Sequence, residues 1–506
     1  MFGRIPTFAS EKDLKNWLQT VHEKYFIELK KASDLPSSFW DTYSSFSNTA
    51  GGLIILGVEE SRPRNNIIGV GNAEKIVTNL WNQLSNKNKV SFRNVENSDI
   101  VDYQLDEARI IIVSVKEAPE NMKPVFINGK DDNTYIRTGD GDRKATREEI
   151  NAMYRNAQPN ADSLSAEQYT LDDLDPLSVI EFKSKVNLRF PKNDYDSMSN
   201  ADFLKEIGAC YIDRYTNQYK IRKGTLLFLG KVNSIKEMFP HYHLDFFNRQ
   251  GNNPRWIDRV SDDEPYGREM NLYNFYTIVY EKLRLLQQSA FALDSEQMRI
   301  PLSNFDESLR EALVNCLAHA DYIQGYPSTK IEAFDGRFYF TNPGKMLVPA
   351  RQFVIGGDSR PRNEIIMKLF RLLGASERQG FGGPLIFKSA QSNDYRFPEI
   401  TTDLEHTELV VWTIDLADSY SDLSPVEKTT LRYIMKSVAP VSINTLKTSL
   451  KTTDYQTRKA INSLVRKDLV QKIGNGPSTG YAVVQKSMEF YTQLQAALDV
   501  LKQRLK

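Results

Sequence analysis

Arg458, Lys459, Arg466 and Lys467 crowd the segment YQTRKAINSLVRKD, with Gln456 and Ser463 among them. Arginine can pair with a guanine edge and lysine with a phosphate, so these residues on one helix face would suit a nucleic-acid groove. Ala460, Ile461, Leu464 and Val465 fall at helical spacing between the cations and supply the expected core face. The stretch LVQKIGNGPSTGYAVV then reads as two strands joined by a turn, and Lys472 and Asn475 there could touch an adjacent groove. Residues 420–506 hold 14 Lys+Arg against 6 Asp+Glu, a net of +8, which leaves 51 against 59, or −8, in the rest of a chain whose total is zero. A compact basic module is the electrostatic footprint of a phosphate-backbone binder.

Two other groupings could carry chemistry. Glu311, Asn315 and His319 stand at i, i+4 and i+8 in SLREALVNCLAHA, which puts all three on one face of one helix. Glu28 and Lys30, two positions apart in YFIELKK, share one face of a strand. Glu23 lies five residues before Glu28, so a single strand would point the two oppositely; they meet only if Glu23 sits in a turn ahead of the strand. Cys210 and Cys316 lie in apolar, helix-like segments and read as buried thiols of a reducing compartment, not as a disulfide or zinc site.

The elements that must position these residues fall into three units. At 506 residues the chain exceeds one hydrophobic core, and 40% apolar with 26% charged residues describe an ordinary folded protein. Its longest apolar runs, LIILGV and IIIVSV, are far shorter than the roughly 20 residues of a membrane helix. The N-terminus lacks a basic segment followed by an apolar core, so a cytoplasmic location is expected. Residues 1–158 read as an α/β unit: a helix carrying Leu14, Trp17 and Leu18, the strand of Ile27 and Leu29, a helix over 37–49, strands over 53–58, 108–115 and 134–138, and a closing helix with Thr146 and Glu149 at capping-box spacing. The polar segment 158–174 suits a connection. Residues 159–417 form a second α/β unit, with KGTLLFLGKV as a strand, a helix over 271–289, and an Asp335-Gly336 hairpin. Residues 418–506 give three short helices and a two-stranded wing, the pattern of a winged helix-turn-helix, a module that also serves protein contacts. Beyond the wing, Tyr491, Leu494, Leu498, Leu501 and Leu505 alternate spacings of three and four, a coiled-coil seam that would pair two copies.

ELKKAS, then FSNTAGGLIILGVEE, then IIGV, and later YIRTGDGDRKATREEI, occur in an order that resembles the Schlafen-type AlbA-like domain over about 130 residues. Members of that family with nuclease activity use two glutamates five apart and a third acid at the end of a later strand. By the resemblance Glu23 and Glu28 match the pair and Glu59 the third, although relatives carry aspartate there and the neighbouring Glu60 leaves the register open. Three such carboxylates would hold Mg²⁺ or Mn²⁺ through hard oxygen ligands, the metal would activate water, and Lys30 would stabilise the developing phosphate charge.

From about Thr225 to Trp412, KGTLLFLGKV, SLREALVNCLAHADY, FYFTNPGKM and RNEIIMKLFRLLGASERQGFGGPLI resemble bacterial proteins that pair this first domain with a GHKL-type ATPase fold. The resemblance makes Glu311 the residue that orients water, Asn315 a magnesium ligand, and Gly380, Gly382 and Gly383 a loop whose backbone N–H groups approach phosphates. Asn342, followed by Pro343 and Gly344, takes the place of the aspartate that reads adenine, and its carboxamide offers both a donor and an acceptor.

These readings give an α/β and α+β multidomain protein: a Schlafen/AlbA-like domain, a GHKL-like α/β sandwich and a C-terminal winged helix. Nucleic acid is the expected partner, ATP and a divalent metal the expected cofactors. A homo-oligomer would form through the N-terminal domain or the C-terminal helix. Three functions fit: a nucleic-acid-binding protein that cleaves RNA in antiphage defence or stress response; a ligand-responsive transcriptional regulator without nuclease activity; and an oligomeric scaffold.

Overall fold

The computed structural model describes residues 5–158, 160–251, 255–291, 303–324, 326–357, 360–376, 380–437, 439–474, 476 and 479–484. The chain divides into two compact units, Met1–Pro159 and Asn160–Lys506.

The first unit is built on a four-stranded sheet in the order Ile27–Lys30, Gly52–Leu56, Ala108–Val115, Ile100–Leu105. The first pair is parallel and the other two are antiparallel. A parallel pair needs a crossover, and the helix Phe39–Asn48 supplies it. Leu14 and Leu18 of the helix Glu11–Thr20 cover one sheet face with Ile27, Leu29, Ile55 and Ile112. Phe39, Trp40, Tyr43 and Phe46 cover the other with Ile54, Leu56, Ile111 and Val113. Burial on both faces explains why the two central strands are unbroken apolar runs.

The polar residues of the crossover helix have a different task. Asn48 donates from Nδ2 to the carbonyls of Val125 (2.9 Å) and Tyr135 (3.0 Å) and accepts from Val125 N at 2.8 Å. Ser44 donates to Val125 O and accepts from Tyr135 N, so two later segments are bonded to this helix, backbone to side chain. Gly51 takes a left-handed φ of 74°, and Gly52 lies so close to the Phe46 ring that a Cβ would collide with it.

In the second unit a six-stranded sheet runs Asp258–Ser261, Leu244–Asn248, Thr329–Phe334, Arg337–Pro343, His406–Trp412, Glu399–Thr402. Leu244–Asn248 and Thr329–Phe334 are parallel and the remaining pairs antiparallel. Gly336 (φ 78°) turns the expected hairpin. Helices Leu272–Phe291, Ser303–His319, Glu364–Leu373 and Gly382–Ser392 contribute to one large apolar core.

Two sequence readings are corrected here. KGTLLFLGKV contains a helix, Lys223–Leu229, not a strand; Gly224 through Leu229 are all buried, and a helix buried on every side shows no periodicity to distinguish it from a core strand. Cys210 opens a short strand, Cys210–Ile212, rather than sitting in a helix, because Gly208 at φ 70° ends the helix Asn200–Glu206 just before it. Both thiols are buried.

The C-terminal part has a core of its own. Helices Pro425–Lys436, Ile443–Leu450 and Asp454–Arg466 and the antiparallel pair Val470–Ile473 and Gly480–Val483 enclose Leu431, Ile434, Leu446, Ile461, Leu464 and Tyr481. Val465 is 37% exposed, so it does not belong to the core face; Thr457 is buried in its stead. Asn475 and the leucine seam from Tyr491 to Leu505 lie outside the described residues. Among those described, no helix is long and apolar enough to cross a membrane.

Candidate functional site

Glu23 precedes a tight turn in which Lys24 and Ile27 exchange backbone hydrogen bonds, and its carboxylate accepts from Leu29 N at 3.2 Å. Burial first, then the charges of Glu28 and Glu60, hold the Glu23 carboxyl above its usual range. Glu60, not Glu59, is therefore the acid beside Glu23, and it also accepts from Glu23 N at 3.1 Å. Glu59 faces the other way, 3.2 Å from Lys31 Nζ. The strand ends at Glu59, and it is the next residue, Glu60, that reaches Glu23.

Glu28 is engaged twice, by Lys30 Nζ at 2.9 Å and by the fully buried Arg137 at 2.9 Å. Arg137 also holds Asp142 at 2.8 Å and donates to the carbonyl of Lys24. Glu23, Glu28 and Glu59 thus do not converge on one point. Among the described residues, the three ligand groups close enough to share an ion are His243, Asp262 and Asp263, whose atoms lie within 4.8 Å of one another. That cluster is already balanced by cations. His243 Nε2 lies 2.8 Å from Asp245 and Nδ1 2.9 Å from Asp262, while Lys236 Nζ sits 2.8 Å and 2.7 Å from Asp262 and Asp263. The hydrogen bonds to Asp245 and Asp262 push the imidazole up to about 10, so it is an imidazolium at neutral pH.

The helix Ser303–His319 and the strand Arg337–Pro343 wall a narrow, mostly apolar cleft of about 70 Å³. Asn315, His319, Asn342, Lys345, Arg360 and Thr407 line it. Burial and the nearby Arg362 push His319 down to about 4, which keeps its ring neutral. Asn315 donates to Glu311 at 3.3 Å, and Asn342 donates to Pro343 O at 3.1 Å. The four glycines sit beside the cleft and not in its wall. Gly382, at the start of the helix Gly382–Ser392, lies against the Glu311 carboxylate, and Gly383 against Phe353 O; neither has room for a Cβ. Gly380 (φ 82°) packs on Gly357, and Gly344 (φ 91°) packs on Arg362 and Asp321.

On the helix Asp454–Arg466 every predicted nucleic-acid contact, Gln456, Arg458, Lys459, Arg466 and Lys467, faces solvent, as does Lys472 on the following strand. Several are engaged. Gln456 accepts from Thr453 N at 3.0 Å as half of a capping box, Arg458 pairs with Asp454 at 2.7 Å, and Lys467 with Asp422 at 2.6 Å. Tyr455, Arg458, Lys459, Asn462 and Arg466 line one open groove with Asp454.

The profile of the family "Schlafen, AlbA_2" matches residues 23–146. That of "Putative ATP-dependent DNA helicase recG C-terminal" matches residues 328–411, and a "Domain of unknown function (DUF8451)" matches residues 151–245. The chain has an AlbA_2 N-terminal domain and a recG-like, ATPase-type later domain. Together the two domains suggest a nucleic-acid-related function, and the second is compatible with ATP and magnesium. The crystal structure of the DIP2311 protein from Corynebacterium diphtheriae is 15% identical over 90% of this chain and 94% of that one, with a TM-score of 0.39. The solution structure of the N-terminal domain of a "Putative ATP-dependent DNA Helicase RecG-related Protein" from Nitrosomonas europaea is 25% identical over 28% of this chain and 95% of that one, with a TM-score of 0.22. No curated protein matches.

Reading the AlbA_2 domain from sequence missed Arg137 and Asp142, which decide where Glu28 points. The string YIRTGDGD contains both, but nothing local marks an arginine as buried. His243 was missed for the same reason, and its pairing has a measurable consequence. A histidine whose folded-state pKa is raised stabilises the fold fully below its ordinary value near 6.5, and that contribution disappears as pH rises toward 10. Chemical denaturation at a series of pH values should show His243→Gln less stable than the wild type at pH 6, with the difference shrinking steadily to pH 10. A difference that stays constant across that window would mean the imidazole is not charged.

Proposed function

We propose that this protein binds duplex DNA through the helix Asp454–Arg466 of a winged-helix module, and that its ATPase-like body takes a nucleotide with magnesium. The observation that carries the first part is the solvent face of that helix, where Tyr455, Arg458, Lys459, Asn462 and Arg466 flank one groove. Among residues 420–484, Lys and Arg number 10 and Asp and Glu 4, so the module keeps a net of +6 without the terminal segment. Each phosphate neutralised releases condensed counterions, so affinity should fall by roughly 0.9 log units per log unit of salt for each contact.

Nucleotide binding is supported by the cleft, which Asn315 and Asn342 line among mostly apolar neighbours, and by Glu311 at the head of the helix Gly382–Ser392. The N-terminus of that helix would receive a phosphate once the Glu311 carboxylate that lies against Gly382 turned away from it. The cleft is smaller than the roughly 300 Å³ of a ligand-enclosing pocket, so adenine would enter with an outward movement of the wall at Lys345–Val348. A second reading, metal-dependent RNA cleavage in antiphage defence or stress response, draws on one observation. Burial, then the charges of Glu28 and Glu60, raises the Glu23 carboxyl, and a divalent cation would relieve that field once these acids moved together, since they do not lie close enough to share an ion here.

Truncation after residue 419 should lose most duplex affinity in gel-shift titrations across a salt series. Equal binding by both chains would make the C-terminal module a protein-interaction domain. Since a ligand that binds only the folded state stabilises it, millimolar Mg-ATP should raise the melting temperature, and Asn315→Ala should erase the shift; an unmoved wild type would leave the cleft structural. For the second reading, transfer RNA incubated with Mn²⁺ should be cut by the wild type and spared by Glu23→Gln. Intact RNA in both reactions removes cleavage from consideration.

A further inference from the structure

We propose that the helix Asp454–Arg466 reads the DNA major groove through Arg458 and Asn462, with Asp454 as the residue that makes the contact selective. The inference rests on the duplex-binding reading above and adds which bases are recognised and how far apart they lie.

The cationic face of this helix contains an acid. Asp454 lines the same groove as Arg458, Lys459 and Arg466, and its side chain is about half exposed. A carboxylate there repels phosphates of any sequence, so it lowers general affinity. It also orients its neighbour. Arg458 donates from Nε to Asp454 Oδ2 at 2.7 Å, which leaves the two terminal guanidinium nitrogens outside that pair. Those two nitrogens are the fork that pairs with guanine O6 and N7.

Asn462 stands one turn further along. Its carboxamide carries a donor and an acceptor, the pair that matches adenine N7 and N6. Gln456 has the same chemistry but caps the helix with its oxygen, so it is a poor reader despite its exposure. Four residues of helix rise about 6 Å, and stacked bases are about 3.4 Å apart, so Arg458 and Asn462 reach bases roughly two pairs apart. Tyr455 is 73% exposed at the leading end of the same stripe and presents its ring to whatever the groove receives.

Selection from a randomised duplex pool with the full-length protein tests this. The enriched sites should share a guanine and an adenine about two base pairs apart. Arg458→Ala should flatten the preference at the guanine, and Asn462→Ala that at the adenine, each by about tenfold. Asp454→Asn should bind random duplex more tightly and discriminate less. Asp454→Ser, which keeps a capping-type side chain near the helix N-terminus, should do the same, so a change in helix stability cannot imitate the result. Enriched sites that persist unchanged in Asn462→Ala, or a ratio of selected to random affinity that both Asp454 variants leave intact, would overturn the assignment while duplex binding itself stands. Equal binding by the wild type and the chain ending at 419 would overturn the duplex reading beneath it.

Discussion

A buried guanidinium has to be neutralised where it is buried, and in the N-terminal unit that requirement falls on Arg137. Its side chain is wholly excluded from solvent. Glu28 and Asp142 supply the counter-charges, Lys24 O accepts another N–H, and the Phe46 ring lies 5.1 Å from the guanidinium carbon. Leaving such a charge without a partner costs several kcal/mol, comparable with the whole stability of a domain. The strand Ile27–Lys30, the crossover helix and the hairpin Tyr135–Lys144 are therefore tied together through this one side chain. Thr42 extends the same network by donating to Asp142 at 2.6 Å. The Glu28 carboxylate has a structural task that exists whether or not a metal is ever bound.

The second unit solves an equivalent problem with backbone groups. The helix Glu364–Leu373 begins with orphan N–H groups, and Asp162 accepts from Glu364, Ile365 and Ile366 at 2.9, 2.8 and 3.0 Å. Burial pushes that carboxyl up to about 6 despite the three donors. Immediately before that helix, Arg362 donates to His319 O, and Asn363 to Ala318 O and Ala320 O, which closes the carbonyl end of the helix that bears Glu311 and Asn315. A segment that reads as a polar connection in the sequence is thus part of the scaffold that holds the cleft.

What was legible in the sequence was whatever is decided locally. Thr146 with Glu149 forms the capping box its spacing implies, and the central strands are apolar because both their faces are covered. The two compact units divide between Pro159 and Asn160. Long-range decisions were not legible. Nothing around Glu59 and Glu60 says which of them turns toward Glu23, since that depends on how the strand Val58–Glu59 leaves the sheet. Nothing in KGTLLFLGKV separates a buried helix from a buried strand. The glycines of RQGFGGPLI announced a tight approach, and it is made to Glu311 and Phe353 rather than to open space.

Net charge zero conceals how this chain can present a cationic surface. Arg432 is bonded to Asp415 and Asp418, Lys428 to Asp418, and Lys467 to Asp422. These acids precede or open the C-terminal module, and the apolar residues among them, Leu416, Ala417, Tyr420 and Leu423, pack into the module's own core. Lys459 and Arg466, on the solvent face, have no acidic partner within ion-pair distance among the described residues. Screening at physiological salt leaves fields effective over about 8 Å, so the local distribution matters more than the total. Arg432, Lys428 and Lys467 are thus matched by acids at the start of the module, whereas Lys459 and Arg466 display their charge to solvent.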